Sequence, residues 1–480
     1  MRTTPFLALP LLLGAVAGRL AAQTTPTERA AAGSVLRAID SIQQKLGPGR
    51  LAERLAQAKD PERDRVVARA GAVWDAEMQA LSDWIGKNPE VGWKEWRATD
   101  TLMKVLRGKG FTVDSGVAGL ATAFVARWDS KGGAGGPVLG LIAEYDALRG
   151  TTGAFHGDQH NAQSPVAIAA AVALKDYLEA SRLPGGIRIY GTPAEEVGPP
   201  AKTIMRDAGV FKGADLLVRS HSTTQTARSR AGFGICCLDI DEVKYTFTGR
   251  PSHQLSSWNG RNALEAAVHF YTAVDGLRSS FRPEASIQGV IPEGGIAPNV
   301  VPDRAVVDYY IRYPDGIYLE HIAAMMDNAA KAAALATGTE VKIDRYGEYR
   351  DGIALGTLEE LYYAYARAFQ APKLEAEPGR PAGYEETGGV SLDVPGIGVT
   401  VMSSRAPNHT MGMLEDAFTD VGHTGFRLDA RIEAAILYDY LTDAAFRDAV
   451  RAEHAALRGL YEQYQAGLRK AYAEEIGPRP

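Results

Sequence analysis

Between residues 122 and 402, short apolar runs alternate with stretches of helical periodicity. The runs at 122–128, 137–145, 187–192, 215–220 and 397–402 are nearly continuous aliphatic, β-branched and aromatic residues, the pattern of strands buried on both faces. Residues 164–180 and 199–208 lie between such runs and read as helices. The alternation predicts an α/β fold with a mostly parallel sheet covered on both sides. Upstream, residues 24 to about 65 are rich in Ala, Arg and Glu and read as helix broken at Gly47-Pro48-Gly49. Helix then continues over 72–85, where Trp74, Met78, Leu81 and Ile85 recur at helical spacing.

The rhythm changes near Gly234. Strand (236–248), helix (262–277), two strands (286–291 and 304–312), helix (318–337) and strand (340–346) spell β-α-β-β-α-β, a ferredoxin-like unit. Sheet-like segments resume after about residue 355, so the unit is an insertion. The chain therefore divides into a helical extension (24–64), a main α/β domain (65–235 and 352–442), an inserted α+β domain (236–351) and a charged helical tail (443–480).

Composition adds a location. Residues 1–23 place Arg2 before an apolar stretch at 6–17 and end in Leu20-Ala21-Ala22-Gln23. That is the form of a secretory signal peptide, too short to span a membrane, and it predicts a periplasmic or secreted protein. Its removal takes away Arg2 and Arg19 and moves the net charge from -6 to -8. A mildly acidic chain disfavours nucleic acid or an anionic membrane surface as partner. The only cysteines, Cys236 and Cys237, are adjacent, so no disulfide framework is expected; as strand residues they carry no assigned chemistry.

Candidate chemistry collects where the strands stop. The 137–145 run leads to Asp146 and the loop His156-Gly157-Asp158-Gln159-His160-Asn161; the next ends at Glu195-Glu196, the next at His221, and the last precedes His409. Ligands bind outside the carboxyl ends of the strands in open α/β sheets. Adjacent glutamates there suit one metal ligand and one proton carrier, although a charged strand-to-helix loop has the same composition. Asp158, His160, Glu196, His221 and His409 form a set of carboxylates and imidazoles suited to Zn²⁺ or Mn²⁺ rather than Ca²⁺ or Mg²⁺. Five ligands exceed what one catalytic ion needs and suit a pair.

Several of these segments resemble a known family. The stretch Gly140-Leu141-Ile142-Ala143-Glu144-Tyr145-Asp146-Ala147-Leu148, the loop at 156–161 and Pro193-Ala194-Glu195-Glu196 are similar to the metallopeptidase family of aminoacylases, carboxypeptidases and auxin-conjugate hydrolases. The resemblance is strongest to the aminobenzoyl-glutamate hydrolase branch of that family. Gly249-Arg250-Pro251-Ser252-His253, Gly260-Arg261-Asn262-Ala263-Leu264 and 297–303 resemble the family's dimerisation or lid domain. The resemblance implies Glu195 as general base, Glu196, His160, His221 and His409 as ligands, and Asp146 as the acid that orients the site. It also implies that His253 and Asn299 reach the substrate from the insert, the histidine being supplied across a homodimer to stabilise the oxyanion. One departure is Asp158-Gln159-His160 where the branch has Cys-Gly-His; a carboxylate can still bridge two ions, but metal preference changes. A second is Glu385-Glu386-Thr387-Gly388-Gly389-Val390-Ser391, which lacks the expected aspartates.

The expected activity is that of a metal-dependent amidohydrolase on an N-acyl or aryl-acyl amino acid, a small or dipeptide-like substrate with a free carboxylate. The alternatives are an exported carboxypeptidase or dipeptidase, and a binding protein without turnover on the same fold. His156 is expected to support the ligands from behind, and His423 is a weaker candidate. His269, His321 and His454 read as surface or packing residues, and Arg228, Arg230, Arg250 and Arg261 as solvated surface or a substrate clamp.

Overall fold

The computed structural model describes residues 26–132, 135–227, 232–233, 239–374 and 388–476. The signal-like segment, Arg228, Arg230, Cys236, Cys237 and the 385–387 stretch lie outside the described residues.

Helices α1 (Pro26–Leu46), α2 (Pro48–Gln57), α3 (Pro61–Val73), α4 (Gln79–Lys87) and α5 (Trp96–Gly108) come first. Their breaks have local causes. Gly47 takes φ +57° ahead of Pro48, a turn that glycine enters without a Cβ clash. Asp60 caps α3 by accepting the Glu62 and Arg63 amides at 3.0 and 3.1 Å. A π-turn over Trp74–Met78 joins α3 to α4, so the expected 72–85 helix carries a one-turn bulge.

The main domain continues with β1 (Thr112–Ser115), β2 (Phe124–Asp129), β3 (Val138–Ala143), the hairpin β4 (Leu148–Gly150) and β5 (Gly153–Phe155), α6 (His160–Ser181), β6 (Gly186–Gly191), α7 (Ala201–Asp207), β7 (Leu216–Thr223) and β8 (Gly232–Phe233). The insert is β9 (Asp239–Thr248), α8 (Ala263–Leu277), β10 (Ser286–Glu293), β11 (Arg304–Tyr313), α9 (Gly316–Thr337) and β12 (Glu340–Tyr349). After it come β13 (Ile353–Ala354), α10 (Gly356–Ala368), β14 (Gly396–Met402), α11 (Met411–Ala417), α12 (Asp420–Thr442) and α13 (Ala444–Ile476).

The main sheet has the order β1-β2-β6-β3-β7-β14. β6, β3, β7 and β14 are parallel, whereas β1 and β2 run antiparallel at one edge. The apolar run at 122–128 therefore does not extend the parallel set. The last residues of β2, Trp128 and Asp129, lose burial toward solvent, as an antiparallel edge permits. One face is covered by α6, apolar nearly all round, and by α12. On the other, Met205, Phe211, Val390 and Val394 pack on Val125, Ile142, Tyr190 and Leu217.

The insert sheet is fully antiparallel, β10-β11-β9-β12, the ferredoxin-like order. α8 packs on it through Phe270 against Tyr245, Phe247 and Tyr309. The tail is a single 33-residue helix, α13, that lies along α1 and touches both α10 of the main domain and α9 of the insert. Among the described residues no helix is long and apolar enough to cross a membrane.

Candidate metal centre

Parallel pairing brings the exits of β3, β6, β7 and β14 to one edge of the sheet. β3 delivers Glu144 and Asp146, both buried, and β6 delivers the Glu195-Glu196 turn. β7 runs two residues past His221, which stands inside the strand and pairs with Thr400 of β14. His160 is the first residue of α6, entered through Gln159 in the left-handed region at φ +57°. His409 adopts φ +65°, and its N–H donates to the Gly157 carbonyl at 2.8 Å. That bond stitches the 403–410 loop to the loop carrying Asp158 and His160.

Three groups have ligand atoms all within 4.8 Å of one another: Asp158 with His160 and His221, Asp158 with Glu196 and His409, and His160 with Glu195 and Glu196. Asp158 is common to the first two, so one carboxylate stands between two three-residue sets. His409 Nε2 lies 2.9 Å from Asp158 Oδ2 and 3.9 Å from Glu196 Oε2. The Nε2 of His160 is buried without a hydrogen-bond partner. Such an atom is costly unless a ligand satisfies it. Borderline metals take this mix of imidazole and carboxylate, so the donor set fits divalent ions.

The candidate ligands are oriented from behind. Asp146 Oδ1 accepts from His160 Nδ1 at 3.1 Å, and its Oδ2 accepts the Glu196 amide at 2.9 Å. His221 Nδ1 donates to the Ser222 carbonyl at 3.0 Å. Both rings thereby turn Nε2 toward the cluster, the arrangement that fixes a metal-binding tautomer.

Crowded carboxylates set the electrostatics. Burial pushes Glu196 up to about 8; Asp158 and Asp146 add to the shift, while His160 and His409 oppose it. Burial also disfavours charge on Asp158, but the His409 hydrogen bond and the His221 and His160 rings outweigh it and hold its carboxyl low. His160 loses from burial and gains more from Asp146, Glu196 and Glu144, so it rises well above the usual range. A bound cation would replace the repulsion among these acids by attraction.

Three supporting groups escaped the sequence reading. Asn408 Nδ2 donates to Asp158 Oδ1 and, at 3.2 Å, to the Ser222 carbonyl; its place beside His409 was its only signal. Lys202 and Glu144 form a wholly buried ion pair behind the glutamate turn. Glu95, far upstream and also fully buried, accepts the Ala194 amide at 2.8 Å. Burial first, then Asp146, pushes the Glu95 carboxyl up to about 7.

Other candidates stand elsewhere. His253 and Asn299 occupy exposed loops of the insert, outside the three ligand groups; the Gln254 amide donates to the Asn299 carbonyl, and His253 Nδ1 accepts the Leu255 amide. His423 pairs with Asp83 at 3.0 Å, and His454 with the Ser391 carbonyl at 2.7 Å. His156 is buried, and desolvation and then His160 push it down to about 3, leaving it neutral. Arg250 and Arg261 donate to the Asn259 and Gly260 carbonyls.

Residues 239–337 match the peptidase dimerisation domain of the M20 family. The chain is 30% identical to Xaa-Arg dipeptidase of Mus musculus over 84% of this chain and 92% of that protein. It is 32% identical to a p-aminobenzoyl-glutamate hydrolase component of Escherichia coli over 62% of this chain and 63% of that protein. Its fold is similar to that of a dinuclear metal-binding M20 peptidase from Bacillus subtilis, with TM-score 0.53, 17% identity, and 77% and 99% of the two chains covered.

Proposed function

The chain belongs to the M20 peptidase family and is a hydrolase of amide bonds; from that premise we propose a metal-dependent amidohydrolase that releases the amine half of N-acyl or aryl-acyl amino acids. The observation that carries this reading is the position of Asp158, shared by two ligand sets with the Glu195-Glu196 pair beside them.

One divalent ion would be held by Asp158, His160 and His221, and a second by Asp158, Glu196 and His409, zinc or manganese suiting the oxygen and imidazole donors. Bound ions of this kind lower the pKa of water and polarise the scissile carbonyl. Glu195 takes a proton from the attacking water onto its carboxylate as the water oxygen bonds to the carbonyl carbon. It then delivers that proton to the amide nitrogen as the C–N bond breaks. Asp146 keeps His160 and the Glu196 backbone in place. His253, contributed by a second copy of the chain, donates to the tetrahedral oxygen, and Asn299 contacts the substrate; the dimerisation-domain match supports this part. The signal-like segment at 1–23 supports a periplasmic or secreted location.

A dipeptidase is the second reading, favoured by the longer match to the Xaa-Arg enzyme. Enzyme loaded with Zn²⁺ or Mn²⁺ is assayed on N-acyl amino acids, aryl-acyl glutamates and unblocked dipeptides. Faster cleavage of the acylated panel is expected, and strict demand for a free amine would transfer the assignment to dipeptidase. Glu195→Gln is expected to keep its metal and lose kcat roughly 100-fold or more; equal turnover by the variant would end the general-base reading.

A further inference from the structure

Glu195 lies in a turn whose backbone needs external support. Ala194, the residue before it, is buried and holds φ +54°, a region that a residue with a Cβ avoids. Its N–H points inward and donates to Glu95 Oε1 at 2.8 Å. The same oxygen accepts the Trp93 amide at 3.0 Å, and Oε2 accepts the Thr122 hydroxyl at 2.9 Å. On the far side of Glu195, the Glu196 amide ends on Asp146. The two amides that flank Glu195 thus each terminate on a buried carboxylate.

Glu95 begins α5, yet its side chain makes no capping bond to that helix. Capping falls to Glu90, whose Oε2 accepts the Arg97 and Ala98 amides, both at 2.9 Å. The Glu95 carboxylate is turned the other way, toward the 193–196 turn. Gly92 fits the same purpose, because a Cβ there would run into Val197 and come within 3.0 Å of the Ala194 Cα. The support extends inward: the Thr122 carbonyl accepts from Thr99 Oγ1 at 3.1 Å and from Tyr145 Oη at 2.5 Å, linking Glu95 to the exit of β3.

We propose that Glu95 is a positioning residue for hydrolysis, holding the left-handed turn at Ala194 that aims Glu195 into the ligand cluster. The proposal rests on the reading of Glu195 as base. A misplacement of about 1 Å in a catalytic group costs roughly 100-fold in rate, and that sets the expected size.

The test compares wild type, Glu195→Gln, Glu95→Ala, Glu95→Gln and the double variant Glu95→Ala/Ala194→Gly. It measures kcat, KM and metal content of the loaded enzyme, and amide exchange of the 192–198 segment in metal-free protein. Glu95→Ala is expected to lose kcat about 100-fold with KM and metal content little changed, and to exchange faster in that segment. Adding Ala194→Gly should recover about tenfold or more, since glycine enters the left-handed region freely. Glu95→Gln keeps one acceptor oxygen for the Ala194 amide and should retain most of the lost rate. Wild-type kcat and exchange in Glu95→Ala would overturn the proposal, as would a loss that neither glycine nor glutamine relieves. If Glu95→Ala does not fold, Glu95→Gln decides. Its kept acceptor oxygen ties kcat to the Ala194 amide, so retained protection with retained kcat, or faster exchange with lower kcat, supports the proposal; protection kept beside a loss of about 100-fold in kcat, or faster exchange at wild-type kcat, refutes it. Full turnover by Glu195→Gln would remove the base itself, whereas an inactive Glu195→Gln beside a fully active Glu95→Ala would remove only the role of Glu95.

Discussion

Gln159 carries a Cβ into a left-handed turn between two residues of the ligand cluster, where the branch this chain resembles has glycine. The strain is offset by its side chain. Its Oε1 accepts from Ser403 Oγ at 2.7 Å, and its Nε2 donates to the Met413 carbonyl at 2.7 Å. These bonds tie the Asp158–His160 loop to the segment bearing His409, so the departure from Cys-Gly-His is a matched pair of changes: a carboxylate for the thiolate, and a tethered side chain for the glycine. Asp158 is also served by Asn408, a donor that suits oxygen better than sulfur. Asp158→Cys is therefore expected to raise the preference for Zn²⁺ over Mn²⁺ by roughly tenfold or more and to lower total affinity by losing the Asn408 bond. Competitive titration of the two metals measures the ratio; an unchanged ratio would mean that Asp158 does not coordinate.

Among the elements, α13 does most to relate the two domains. Toward its start, Glu453 accepts the Gly356 and Thr357 amides at 2.7 and 2.9 Å and so caps α10. Toward its end, Tyr472 Oη donates to Asp315 Oδ2 at 2.7 Å, while Asp315 Oδ1 caps α9 at the Tyr318 amide. Arg282 lies over the Tyr318 and Tyr472 rings, 5.4 Å from each, and donates to Glu475 and to Thr27 of α1. The insert is thus held by the terminal helices as well as by its two chain connections. Loss of the Arg282 contacts removes a cation–π and charge-assisted set worth about 1–3 kcal/mol. Arg282→Ala is expected to speed amide exchange at the start of α9 and at the end of α13; if the insert closes over substrate, the variant should also raise KM more than it lowers kcat. Exchange at the wild-type rate in both places would show that α13 does not restrain the insert.

At the scale of the whole molecule, the insert exposes more apolar surface than its own core explains. Leu255, Trp258, Val290, Ile296 and Val300 are all exposed, and β10 is one of the two edges of its sheet among the described residues. An unpaired edge beside an apolar patch invites another chain, and His253 and Asn299 stand within the same loops. A homodimer through this face would cover the patch and carry His253 toward a neighbour's cleft. Val290→Lys places a charge on that edge and is expected to yield monomer at micromolar concentration by light scattering, with at least a roughly tenfold loss of kcat. A monomeric variant with full activity would show that no residue is needed from a second copy.

What the sequence determined by itself was local. Continuous apolar runs between helical repeats marked β3, β6, β7 and β14, because burial on both faces removes alternation. The β-α-β-β-α-β rhythm marked the insert, and residue types at strand ends marked the candidate donors. Tertiary structure decided how these meet. The antiparallel edge at β2 depends on pairing that an apolar run does not encode. The sharing of Asp158 between two ligand sets depends on side-chain geometry where three loops converge. Glu95 was invisible as a support for Glu195 because 99 positions separate it from Ala194, and a glutamate before a helix ordinarily reads as a cap. Likewise α13 read only as a charged tail, since a helix bridging two domains has the same periodicity as one lying on a single domain. Periodicity records which face is buried; only the folded chain determines what it is buried against.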